Sequence, residues 1–280
     1  MTMPKALHVA AAQLTTVPGD VPANLERHLA LIDEARAQAV DVLLFPELSL
    51  VGHSAGREAL RLAMPLDDPV IAKLARAAGP MAIGVGLIEE DEASLFYNSV
   101  ALLRDGALLG CHRKVALATY GHLDDGMFYA RGGRLTPVAL APGWNAFVGI
   151  CNDLWQPSLV TDAMLRGCNL LLVPVSSALQ AVGEDFDNPS GWDLNLRFNA
   201  MTWGCPVVMA NRIGDEPQLS FRGGSRVLDA FGQELVCAGD PVEQLTCAWL
   251  DPESIRRARF TLPTLRDARA LAVTQGDPHA

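Results

Sequence analysis

Short, unbroken apolar runs recur along the chain, and each stops at a polar residue. Val42-Leu43-Leu44-Phe45 stops at Pro46-Glu47, Ala146 to Ile150 stops at Cys151, and Leu170 to Val175 stops at Ser176. Runs of this length without polar alternation fit strands covered on both faces. Between them lie helical periodicities. One helix, expected to be capped by Asn24, carries Leu25, Leu29, Ile32, Ala35 and Ala39 on one face. A second starts at Asp68-Pro69 and stops at Gly79-Pro80. Strands and helices that alternate in this way imply an α/β domain of layered sheets covered by helices.

The remaining elements follow the same logic. Leu7 to Gln13 and Met81 to Ile88 read as strands, and Tyr97 to Leu103 with Ala107 to Cys111 as a hairpin turning at Arg104-Asp105-Gly106. Arg113-Lys114 lies just past that hairpin. Thr119 to Gly133, rich in Gly, Asp and aromatic residues, reads as a functional loop. A helix is expected over Leu159 to Arg166, a polar loop over Glu184 to Gly191, a helix over Trp192 to Trp203 and a strand over Pro206 to Ala210. A hairpin from Gly223 to Val236 turns at Ala230-Phe231-Gly232, and Gln244 to Leu250 is the last strand. No linker, repeat or low-complexity block interrupts the pattern. Residues 1–280 are therefore read as one domain, ending in a charged tail from about 256 that packs on a partner or is mobile.

Composition narrows the function classes. The net charge of −10 excludes the basic footprint of a nucleic-acid surface. No apolar run approaches the roughly 18 residues of a membrane span, and the N-terminal residues lack a signal peptide's apolar region. A cytoplasmic enzyme is expected. The six cysteines (Cys111, Cys151, Cys168, Cys205, Cys237 and Cys247) form no Cys-x-x-Cys pair. Zinc and redox motifs are thus absent, and disulfides are not expected. Cys205, Cys237 and Cys247 sit in apolar, strand-like surroundings and read as structural.

Cys151 differs, because it stands where a strand gives way to a turn, with the backbone N–H of Asn152 beside it. In open α/β sheets, ligands bind outside the carboxyl ends of strands. A thiol and an adjacent N–H are the minimum for acyl transfer. Such chemistry also needs a base for the thiol proton and a cation for the oxyanion. Glu47 and Lys114, each just past a strand, are the right types, and a nearby lysine is expected to lower the thiol pKa from about 8.5. Taken singly, Cys151 is equally a core cysteine, and Glu47 and Lys114 are equally surface charges.

Three segments, VLLFPELSLVG, CHRKVAL and VGICNDLW, resemble in order the signature segments of the nitrilase superfamily, the carbon–nitrogen hydrolases. GCNLLLVPVSSA, RFNAMTWGCPVVMANRIG and FRGGSRVLDAFG extend the likeness from Leu7 to about Asp251. The resemblance implies a four-layer α-β-β-α sandwich and a homodimer or higher homo-oligomer, with no cofactor and no metal. It implies Cys151 as nucleophile, Glu47 as general base and Lys114 as the cation on the oxyanion side, joined there by the Asn152 N–H. TYGHLDDGMFYARGG resembles the loop in which the family carries a second glutamate, and Asp125 stands at that position. Aspartate is one methylene shorter, so its contact to Lys114 or substrate is expected to be lost or bridged by water. Tyr120, Phe128, Trp155 and Trp192 are candidates for lining the substrate pocket, with Asp153, Ser176 and Ser177 as polar contacts.

The resulting expectation is a cysteine-dependent amidase that cleaves the C–N bond of a small carboxamide through a thioester and releases ammonia. Nitrile hydrolysis, N-carbamoyl hydrolysis and acyl transfer are the alternatives within the family, and a catalytically silent binding protein stands further off. Gly52-His53-Ser54-Ala55-Gly56 also matches the G-x-S-x-G elbow of serine α/β-hydrolases, with His112, His122 and His279 as the available histidines. A metal reading would gather Cys111, His112, His122, Asp124 and Asp125, whose spacing matches no known site type.

Overall fold

Strand residues send their side chains alternately to opposite faces, and here both faces are covered. The computed structural model describes residues 4–133, 136–183, 185–216, 219–239 and 241–274. In β1 (Leu7–Gln13), Val9 and Ala11 face a second sheet, while Ala10 and Ala12 face helices. The chain continues through α1 (Val21–Ala37), β2 (Val42–Leu44), α2 (Ala59–Leu62), α3 (Pro69–Ala78), β3 (Ala82–Glu90), β4 (Phe96–Arg104) and β5 (Ala107–Arg113). Next come β6 (Val138–Ala141), β7 (Trp144–Val148), α4 (Pro157–Leu165), β8 (Leu170–Val175), α5 (Asn188–Trp203) and β9 (Val207–Asn211). The last elements are β10 (Ile213–Glu216), β11 (Leu219–Arg222), β12 (Arg226–Leu228), β13 (Glu234–Cys237), β14 (Gln244–Leu250), α6 (Pro252–Thr261) and α7 (Thr264–Thr274).

Two six-stranded mixed sheets result, in the orders β14-β1-β2-β3-β4-β5 and β13-β12-β9-β8-β7-β6. Strands β1, β2 and β3 run parallel in the first, and β7, β8 and β9 run parallel in the second. The sheets pack face to face through Val42, Leu44 and Val100 on one side and Ala146, Leu170, Leu172 and Val208 on the other. Ile32, Ile71 and Leu74 from α1 and α3 cover the outer face of the first sheet. Val160, Met164, Leu196 and Leu265 from α4, α5 and α7 cover that of the second. This is the four-layer α-β-β-α sandwich. The carboxyl ends of β2, β7 and β8 lead directly into the segments carrying Glu47, Cys151 and Ser176.

Four local readings need correction. Helix α1 is capped by Asp20, whose carboxylate accepts from Ala23 N at 3.0 Å, and not by Asn24. Asn24 is buried inside the helix and holds Val17 through two hydrogen bonds and Leu50 O through a third. Helix α5 begins at Asn188 rather than Trp192, because Asp187 caps it and Pro189 occupies its first turn. The second half of the expected polar loop, 188–191, is thus helix; Glu184 lies outside the described residues. The charged tail is α6 and α7. Both pack on their own chain, with Arg259 donating to Trp203 O and Cys168 O and Leu265 entering the core. The β10–β11 hairpin and β6 had no counterpart in the sequence reading.

Asp20→Ala removes one exposed cap and should cost about 1 kcal/mol. Asn24→Ala strands three buried backbone partners and should cost about 3 kcal/mol or more. Urea unfolding of the two variants beside the wild type measures that order, and equal losses would show that the Asn24 contacts to Val17 and Leu50 are worth no more than one exposed cap.

Candidate active site

Glu47 reaches the interior because β3 comes unusually close to the chain after β2. A Cβ at Gly86 would lie 2.4 Å from Leu48 N and 2.5 Å from Pro46 O, so a side chain there would displace the glutamate's backbone. Leu48 takes a left-handed φ of +51°, turning the chain just past Glu47. The Glu47 carboxylate accepts from Lys114 Nζ at 2.7 Å, Asn98 Nδ2 at 2.8 Å and Ser176 N at 2.9 Å. Ser176 Oγ donates to Glu47 O at 3.1 Å.

Lys114 follows β5, and its N–H donates to Asn98 O on β4. Its ammonium, almost fully buried, sits between Glu47 and Asp125, the latter at 2.6 Å. Asp125 Oδ2 also accepts from Ala118 N at 3.1 Å. The shorter aspartate therefore contacts Lys114 directly, against the expectation of a lost or water-bridged contact, because the loop brings its backbone close. Burial alone would lower the Lys114 pKa, but the charges of Asp125 and Glu47 outweigh it and hold the ammonium well above its ordinary range. Burial opposes ionisation of Asp125 as well, and Lys114 more than compensates, keeping its pKa below the usual value.

Cys151 opens a single turn of 3₁₀ helix (Cys151–Trp155) after β7, at a left-handed φ of +45°. Such backbone strain in a non-glycine residue is a mark of functional sites. The thiol lies against Glu47 and Lys114. Burial first, then the negative charge of Glu47, push its pKa well above the ordinary cysteine value, and Lys114 offsets them only in part. The lysine lowers the thiol pKa as expected, but burial and Glu47 outweigh it. The resting thiol is neutral and needs a base at hand to become a nucleophile.

One buried carboxylate ties the lysine segment to the cysteine turn. Asp153 Oδ1 accepts from Val115 N at 3.0 Å and Ala116 N at 2.7 Å; Oδ2 accepts from Ile150 N at 3.1 Å and pairs with His112 Nε2 at 2.8 Å. Asp153 is therefore a positioning residue rather than the expected substrate contact. The polar groups of Ser176 likewise hold Glu47, although the residue lines the pocket. Asn98 was missed altogether. Its signal was available, since an Asn-Ser pair inside an otherwise apolar strand marks buried polar groups that need partners.

The pocket over Cys151 is narrow, with a cavity volume of about 30 Å³, and is walled by Tyr120, Leu123, Trp155, Ala181, Trp192 and His53. Tyr120 and Trp155 thus fall where expected. Trp155 meets Trp192 edge to face at 5.4 Å. The Asn152 side chain accepts from Tyr120 OH at 2.9 Å, which fixes the tyrosine. Phe128 lies in a wider outer chamber of about 350 Å³, which shares His53 and Asp125 with the inner pocket.

A match to the carbon–nitrogen hydrolase family model covers residues 8–260. The chain belongs to this family. This chain is 32% identical over 271 residues to a Pseudomonas protegens protein named "Hydrolase in pqqF 5′ region", covering 95% of this chain and 90% of that protein. It is 30% identical over 240 residues to the glutamine-dependent NAD(+) synthetase of Thermotoga maritima, covering 82% of this chain but 39% of the synthetase. The chain thus spans well under half of that relative. An amidase from Nesterenkonia sp. AN1 superposes with a TM-score of 0.81 at 23% identity, over 98% of this chain and 99% of that one, which shows the shared fold.

The other site readings do not assemble in this chain. Ser54 belongs to a 3₁₀ helix (His53–Glu58) and donates its hydroxyl to the Glu216 carboxylate, not to a histidine. His279 lies outside the described residues. Cys111 bonds Glu89, His112 bonds Asp153 and Asp125 bonds Lys114, so these members of the metal reading face different partners.

Because Glu47 raises the thiol pKa, Glu47→Gln should move the alkylation midpoint of Cys151 to lower pH. Iodoacetamide labelling across pH, read at the Cys151 peptide by mass spectrometry, checks it. A midpoint that stays or rises would mean burial alone sets the thiol.

Proposed function

We propose that this chain is an amidase that hydrolyses small carboxamides through a thioester on Cys151. The observation that carries this reading is the convergence of Glu47, Lys114 and Cys151, drawn from three distant segments, around one buried pocket. Cys151 Sγ attacks the amide carbon as Glu47 takes the thiol proton. The carbonyl oxygen becomes an oxyanion held by Lys114 Nζ and the Asn152 N–H. Glu47 returns the proton to the leaving nitrogen, the C–N bond breaks and ammonia departs. Water then attacks the thioester, Glu47 takes a proton from it, and the carboxylic acid and the thiol are released.

The neutral thiol suits this sequence, since proton transfer to Glu47 accompanies the attack rather than preceding it. Asp125 keeps Lys114 charged when Glu47 becomes protonated, so the oxyanion always meets a cation. The aromatic walls Trp155, Trp192 and Tyr120 favour a small acyl group with apolar surface. Relatives as different as an N-carbamoylputrescine amidase and an aliphatic nitrilase make the carbamoyl and nitrile reactions the second reading.

Ammonia release from a panel of small amides, glutamine, carbamoyl amino acids and nitriles tests the proposal. Wild type should respond to an amide, Cys151→Ala should be silent, and Glu47→Gln should lose at least about 10²-fold in turnover. Turnover of nitriles alone would remove the amidase reading, and equal activity in Cys151→Ala would remove the thioester.

A further inference from the structure

His53 lines the inner pocket beside Lys114, Asp125 and Cys151, yet the reaction above does not use it. Its backbone is clamped from behind. The Glu216 carboxylate accepts from His53 N at 3.1 Å and Ser54 N at 2.7 Å and forms a buried ion pair with Arg212. The Arg212 guanidinium lies 4.3 Å from the centre of the Phe221 ring, and the His53 ring meets that same phenylalanine edge to face at 5.6 Å. A charged pair and an aromatic ring thus fix where the imidazole points.

The two ring nitrogens differ. Nδ1 is sealed from solvent and has no hydrogen-bond partner. A buried N–H without an acceptor loses a full hydrogen bond, so the neutral ring carries its proton on the other nitrogen. Nε2–H is then a donor at the wall shared by the inner pocket and the outer chamber. An acyl group attached at Cys151 that outgrows the inner pocket passes this wall. Around the two chambers, Glu47, Asp124 and Asp125 carry three negative charges against the two positive charges of Lys114 and Arg57. That excess disfavours a carboxylate on the substrate and leaves a neutral oxygen as the matching acceptor.

We propose that His53 selects the acyl group, donating from Nε2 to an uncharged hydroxyl, ether or carbonyl oxygen that the substrate carries. The proposal rests on the amide-hydrolase reading and adds the substrate class. A site built to hydrogen-bond a substrate oxygen rejects the analogue that lacks it, because its own donor is left unpaired.

The test compares kcat/KM for butanamide, its 2-, 3- and 4-hydroxy derivatives and the carboxylate-bearing glutaramate. Wild type should prefer one hydroxy derivative over butanamide by about tenfold, the yield of one well-made hydrogen bond. In His53→Phe that ratio should fall to about one, whatever happens to the absolute rate. His53→Gln, which keeps a side-chain N–H, should recover part of the ratio. A preference that survives in His53→Phe, or wild type without preference, overturns the proposal. So does a preference for glutaramate that His53→Phe removes, which would make the acceptor charged. If wild type hydrolyses no amide, the amidase reading fails separately. Calorimetric binding of the same amides to Cys151→Ala, with and without His53→Phe, then decides the role of His53. Selective weakening of the hydroxy amide sustains it, and equal affinities sink it.

Discussion

The site depends on an ammonium group that has been taken out of water. A buried charge without partners is strongly destabilising, and one with well-placed partners is tolerated. Lys114 therefore requires Glu47 and Asp125, and each of these requires further donors: Asn98 Nδ2 and Ser176 N for the first, Ala118 N for the second. One lysine in this way draws together the segments after β2, β5 and β8 and the loop carrying Asp125. The network fixes positions to hydrogen-bond precision, as general acid–base chemistry at a single carbon requires.

The cysteine turn is held by a second buried charge. Asp153 collects three backbone N–H groups and His112, and two of those groups belong to the residues directly after Lys114. The thiol and the ammonium are thus positioned by one carboxylate that touches neither. The strained backbone at Cys151 is sustained by the same contacts, since Ile150 N and the turn's own Asp153 N–H are both paired.

Electrostatics inside this pocket oppose a simple picture of an activated thiol. A lysine beside a cysteine would lower its pKa in water-accessible surroundings. Here desolvation and Glu47 prevail, and the thiol remains protonated. A neutral thiol is less reactive toward oxidants and alkylating agents than a thiolate. The charge needed for attack is created only as the proton moves.

Much of this was written in the chain. The unbroken apolar runs marked β2, β7 and β8 as strands covered on both faces, because such strands dispense with polar alternation. The three signature segments named Glu47, Lys114 and Cys151, and the polar residue after each run marked the carboxyl edge of a sheet. Local composition misled where polar residues served as caps or as buried partners: Asn24 inside α1, Asp187 before α5 and the charged residues of α6 and α7. The contacts of Asn98, Asp153 and Ser176 and the place of His53 at the pocket wall appear only in three dimensions. Each depends on which distant backbone group or cavity a side chain meets, and residue type and spacing carry no record of that. Sequence determined the layers and the reactive groups; tertiary packing decided their protonation, their partners and the wall that faces the substrate.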